Sequence, residues 1–119
     1  MGNLKKYYHV TFKSKLSKIL HEGIRAGKKR IWASTYGAKL GKLGLIYAHD
    51  DWEAAVKWAY KQTWDMNKEC FVIEFKEYEE NMRCYEPIPG YSYECVKIGN
   101  IEPEQIVEAH DVGAKKFLH

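Results

Sequence analysis

No stretch of this 119-residue chain is apolar for anything near the ~20 residues that a membrane-spanning helix requires, and the lysines of its opening MGNLKKYY lead into no apolar signal core. The expected address is therefore cytoplasmic. Cysteine is scarce: Cys70, Cys84 and Cys95 are odd in number and show no C-x-x-C spacing. Neither a disulfide framework nor a structural zinc site is expected, and all three read as reduced thiols in or near strands. Glycine-rich phosphate cradles are missing too. There is no G-x-G-x-x-G after a strand and no G-x-x-x-x-G-K-[ST], which removes the Rossmann and P-loop readings. Internal repeats, low-complexity tracts and linkers are absent, and at 14.0 kDa the chain is read as one domain spanning 1–119.

Acid is nearly lacking from the first 45 residues, where Glu22 stands alone against 11 Lys and Arg; the remainder carries 15 acids against 8 bases. A net charge of only +3 thus conceals an uneven distribution, which implies one electropositive face. The partner it suggests is anionic, a nucleotide pyrophosphate or a nucleic acid. The alternative is a solvated basic surface balanced by an acidic one.

What is present is the composition of an ordinary globular protein, 45% hydrophobic and 29% charged. KKYYHVTF reads as a first strand, and SKLSKILHEGI as a short helix with Leu16, Ile19 and Leu20 on its inner face, Ser14 at its start and Gly23 at its end. KKRIWAST reads as a strand, YGAKLGKLG as a loop and LIYAH as a buried strand. Asp50, three residues before Glu53, marks the start of a second helix running to about Gln62, with Trp52, Ala55, Val56 and Ala59 inward. ECFVIEF is the plainest strand of all. A short strand near MRCYE, the turn PIPG, the strand YSYECVKI, and a loop in IEPEQIVEAH leading to an edge strand complete the chain. Helices are few and the later strands follow one another directly, so the fold class is α+β with two helices and a mostly antiparallel sheet.

Three scattered polar residues stand out. His9 shares a strand face with Thr11, Tyr47 closes an apolar strand just before a helix, and Glu94 interrupts a strand of mostly apolar neighbours. Each taken singly has an ordinary structural reading: a hydrogen-bonded strand histidine, a core tyrosine and a solvent-facing glutamate. Glu74 in FVIEF and Glu86 before PIPG are rival carboxylates, with Glu74 expected to be paired within the sheet.

In combination and order, YYHVT, LSKILHEGI, GLIYAHD, AAVKWA, FVIEF and YECVKIGNIEPEQI resemble the ADP-ribosyltransferase superfamily, in the branch that spreads a His, a Tyr and a Glu over three strands. The resemblance runs from about Tyr7 to Ile106. It implies a split sheet and NAD as the substrate. It also implies that Glu94 addresses the ribose 2′-hydroxyl beside the bond to be broken, His9 and Thr11 hold a ribose, the Val10 backbone meets the nicotinamide carboxamide, and Tyr47 stacks on the nicotinamide ring. Trp58 falls where the branch has a second stacking ring. Ala55 falls where polymerase-like members have a carboxamide-binding serine, and Ser92 stands where arginine-modifying toxins have a second glutamate. The function implied is mono-ADP-ribosyl transfer to a protein or nucleic-acid acceptor. One alternative on the same fold is an RNA 2′-phosphotransferase using Arg25, Lys28, Lys29 and Arg30. The other is a non-catalytic binder of nucleic acid or protein.

Overall fold

The structure, a computed structural model, describes residues 2–26, 45–85 and 94–114. The expected strand KKRIWAST, the loop YGAKLGKLG and the turn PIPG lie outside them, as do Lys28, Lys29, Arg30, Glu86 and Ser92.

Among the described residues, six strands and two α-helices form an α+β fold. The strands are β1 (Leu4–Phe12), β2 (Leu45–His49), β3 (Cys70–Tyr78), β4 (Arg83–Tyr85), β5 (Glu94–Ile98) and β6 (Ile106–His110); the helices are α1 (Leu16–Glu22) and α2 (Trp52–Met66). The sheet runs β4-β5-β2-β1-β3-β6, and each neighbouring pair is antiparallel.

Helices cover both faces of this sheet, which is why β1 and β3 read as nearly continuous apolar and aromatic runs. Alternate residues go to opposite cores. Val10 and Phe12 of β1 meet Cys70 and Val72 of β3 beneath Ala55 and Ala59 of α2. On the other face Tyr7, Ile73 and Phe75 pack with Ile46, Ala48 and Cys95 under Ile19 of α1. The small alanines of α2 let its axis approach the sheet closely.

Helix details depart from expectation. Asp51, rather than Asp50, caps α2, its carboxylate accepting from the Ala54 amide at 3.0 Å. The helix continues four residues past Gln62 to Met66 and ends at Asn67 in the left-handed region. Trp52, expected inward, is exposed at the helix start. The first helix begins only after a 3-10 turn at Lys13–Lys15, with no side-chain cap at either start, and Leu20 points outward at 48% exposure. With only seven residues, α1 buries Ile19 fully and Leu16 in part, so Leu20 falls beyond the contact stripe.

Gly23 ends α1 at φ +83°, a region that disfavours any side chain, and then feeds Ile24 into a bridge with Ile101, their amides and carbonyls exchanging bonds of 2.8 and 2.9 Å. A Cβ on Gly23 would collide with the Ile101 carbonyl. Gly23→Ala is expected to destabilise the fold by at least ~2 kcal/mol, read as a drop in the urea midpoint; an unchanged midpoint would contradict this close approach.

The cysteines require a correction. Cys84 and Cys95 are directly opposed in β4 and β5 and joined by a disulfide, and only Cys70 is a free thiol. No C-x-x-C was needed, because the β4–β5 register itself brings together two residues 11 apart in sequence. Among the described residues no helix is long and apolar enough to cross a membrane.

Candidate functional site: a split in the sheet

β1 pairs with β3 at nine successive positions, from Leu4↔Tyr78 to Phe12↔Cys70, but with β2 at one position alone, Tyr8↔His49. An ion pair at 3.7 Å between Lys5 and Asp50 lies beside that junction. Beyond it the strands part. Tyr8↔His49 is the one register position that joins β1 to β2 among the described residues, so the sheet reads as two three-stranded halves, β4-β5-β2 and β1-β3-β6, hinged at Tyr8 and His49.

His9 stands at the narrow end of the split. Its Nδ1 lies 2.7 Å from the carbonyl oxygen of Tyr47 across the opening. A carbonyl only accepts, so Nδ1 carries the proton. Burial lowers the His9 pKa below its ordinary 6.5, and the nearby His49 and Lys15 push the same way, against the hydrogen bond to Tyr47. At neutral pH the ring is therefore uncharged, donating from Nδ1 and presenting the Nε2 lone pair as an acceptor. Nitrogen-resolved NMR titration should show this Nδ1–H tautomer and a midpoint below 6.5; a midpoint above that value would refute the assignment.

Tyr47 and His49 alternate along β2 on the face covered by α2, whereas Ile46 and Ala48 enter the opposite core. Trp58 of α2 comes down onto this face, its ring 6.4 Å from that of His49. Val10 and Thr11 are both buried, Val10 within the α2-side core.

Glu94 opens β5 opposite His49, and the pairings continue as one row through Tyr85, Glu94, His49, Tyr8, Glu74 and Glu108 across all six strands. The Glu94 side chain lies outside the described residues. By strand alternation Tyr47 occupies the α2-covered face and His9 the other face of β1. The parting of β1 from β2 is what lets His9 reach the Tyr47 backbone. The structure thus brings His9 and Tyr47 together and sets the Glu94 backbone one row away.

His49 escaped the sequence reading. Its signal was available in its spacing, two residues after Tyr47 and hence on the same strand face.

Of the rival carboxylates, Glu74 accepts from His110 Nε2 at 2.9 Å and pairs with Lys6 at 3.4 Å. Burial pushes its pKa up, but these two partners outweigh it and the net direction is down. Trp52 closes over this pair, edge-on to both His110 and Tyr8. For metals, the group found among the described residues is Asp50, Cys84 and Cys95, with ligand atoms all within 4.8 Å of one another. Its two sulfurs are bonded to each other. Arg25 is held by Glu102 through two contacts of 3.3 and 3.2 Å.

No protein-family model matches this chain, and no curated protein matches it.

Proposed function

We propose that this domain binds NAD in the split between β1 and β2, cleaves the nicotinamide glycosidic bond and transfers ADP-ribose to a protein or nucleic-acid acceptor. The observation that carries the reading is the single-position junction at Tyr8 and His49 that joins the two half-sheets, with a neutral imidazole beside it. A primary carboxamide offers N–H donors beside a carbonyl acceptor, a complement that the N–H and C=O of a strand backbone can meet. Nicotinamide is such a carboxamide, and the Val10 backbone is the group assigned to it.

The chemistry asks little covalent work of the protein. Nicotinamide leaves as a neutral molecule, and the ribose left behind carries positive charge at its anomeric carbon. Catalysis then consists of holding the ring and the ribose apart in a bent pose and placing negative charge near the developing cation. His9, uncharged with Nε2 as acceptor, takes a ribose hydroxyl hydrogen bond and adds no cation beside the forming one. Thr11 supports the same ribose. Tyr47 supplies a flat surface for the departing ring, with Trp58 on the other side. Glu94 supplies the carboxylate, which orients the 2′-hydroxyl and, for a hydroxyl or amine acceptor, takes the proton as the new bond forms.

The 2′-phosphotransferase reading requires free basic groups around a phosphate, and Arg25 is already engaged by Glu102. The test is direct. Purified protein incubated with NAD, water serving as acceptor, should release free nicotinamide, measured by chromatography. Calorimetry that detects no NAD binding, together with no nicotinamide release, would end the proposal.

A further inference from the structure

We propose that the Cys84–Cys95 bond is a thiol-exchange site whose state sets the order of the strand bearing Glu94; as regulation of the nucleotide cleft, this rests on the reading above. Four observations converge on it. Among the described residues β4 is a three-residue edge strand whose ladder is with β5 alone, so this bond is a principal tie on that margin of the sheet. The two sulfurs differ in access: Cys84 is exposed, while Cys95 has 0% exposure. Cys95 directly follows Glu94 on β5, in the same short run of pairing with β2 that holds Ala48 and His49. Asp50, whose carboxylate lies within 4.8 Å of both sulfurs, follows His49 at the hinge of the split. One covalent bond therefore links an exchange-accessible edge to the junction of the two half-sheets.

Exchange would begin at Cys84. A low-molecular-weight thiolate attacks the Cys84 sulfur, breaks the S–S bond and expels the Cys95 thiolate, which takes up a proton from solvent. A second thiolate attacks the outer sulfur of the mixed disulfide, releases Cys84 and leaves as the small-molecule disulfide. Two thiols are oxidised and the protein bond is reduced by two electrons. Burial and the Asp50 carboxylate both disfavour an anion at Cys95, which makes it a poor leaving group and slows opening. Asp50→Asn should accelerate reduction several-fold.

Closing a loop of about a dozen residues restrains the open chain enough that losing the bond should raise β4–β5 amide exchange by up to ~100-fold. The oxidised form holds Glu94 in register and is the active one.

The experiment equilibrates the full chain against graded glutathione and glutathione disulfide, without denaturant. It reads cysteine alkylation by mass spectrometry, amide exchange by strand, and nicotinamide release. Cys70, buried and with its thiol pKa pushed up by burial, should stay unlabelled throughout as an internal control. Expected results are reduction of the bond in the folded protein, faster exchange at Arg83–Tyr85 and Glu94–Ile98 with β1 and β3 unchanged, and at least a tenfold fall in nicotinamide release. Cys84→Ser, at an exposed position, should reproduce the reduced protein and ignore glutathione. A bond that resists reduction until the domain unfolds, reduction that leaves β4–β5 exchange unchanged, or reduction that leaves a measurable nicotinamide release unchanged, overturns the switch. If neither redox form releases nicotinamide, the NAD reading alone fails, and alkylation with strand-resolved exchange still decides whether the bond is an exchange site.

Discussion

Replacing Glu77 by alanine should destabilise the domain by about 3 kcal/mol, lowering the melting temperature by roughly 10 °C. Glu77 lies near the end of β3 on the α1 side, and the residue is only 4% exposed. Four groups converge on it, three of them from other segments of the chain. The Tyr78 amide donates at 2.8 Å, Asn81 Nδ2 at 2.9 Å and Gln105 Nε2 at 3.0 Å, while Lys97 of β5 pairs at 3.3 Å. One carboxylate thus joins both half-sheets, the turn after β3 and the 3-10 segment before β6. Its removal leaves Lys97 partly buried without its counter-charge, although Lys97 still donates to the Asn100 carbonyl at 2.6 Å. That residual bond is why the estimate sits at the lower end of what breaking a buried pair costs.

Glu77→Gln keeps the shape and an acceptor but loses the charge, and should fall between the alanine variant and wild type. Burial pushes the Glu77 pKa up, yet the four donors outweigh it and the net direction is below the ordinary 4.5. A carboxyl depressed in the folded state contributes stability that is complete above its unfolded pKa and disappears as pH falls through its folded one. The margin of wild type over Glu77→Gln should accordingly be flat near neutrality and shrink below pH ~4.5. Urea titrations at several pH values measure it, and a margin that grows on acidification would contradict the assignment.

Much of this fold was legible because its strands obey local rules. KKYYHVTF and ECFVIEF are rich in aromatic and β-branched residues; β1 occupies the first to within one residue, whereas β3 begins one residue after the start of the second and runs three residues past its end, to Tyr78. The pairing expected for Glu74 holds, since an acid within so apolar a run must find partners, and His110 and Lys6 are those partners. The disulfide was not legible. Whether two cysteines 11 apart face each other depends on hairpin register, which no local signal in MRCYE or ECVKI fixes. Nor was the single-position contact of β1 with β2 written in either strand. Where two strands part is decided by what packs on each half-sheet, so from sequence the split entered only through resemblance. The helix errors have a similar origin. Leu20 follows the helical period, but α1 ends before a second turn of contact forms, and Asp51 captures the cap because its backbone is extended there.

Glu94→Gln should lower nicotinamide release by about 100-fold or more while leaving the melting temperature nearly unchanged. Glutamine preserves size and hydrogen bonding, so the substitution isolates the negative charge that the proposed reaction sets against the cation forming on the ribose. Four other strand and loop carboxylates have partners of their own. Glu69 pairs with Lys13 at 3.5 Å, Glu102 binds Arg25, Glu77 holds the half-sheets together, and Glu74 is fixed by His110 and Lys6. Glu74→Gln is the informative contrast, because it stands in the same cross-sheet row on the far side of Tyr8. It removes an anion whose pKa is depressed by its partners, so it should reduce stability above the carboxyl range and leave nicotinamide release within about twofold. Rates are compared with the near-UV circular dichroism of each variant, so that loss of fold is separated from loss of chemistry. Undiminished release by Glu94→Gln would remove that residue from the reaction. A loss confined to Glu74→Gln, with its fold intact, would move the reacting site away from the split to the surface beneath Trp52.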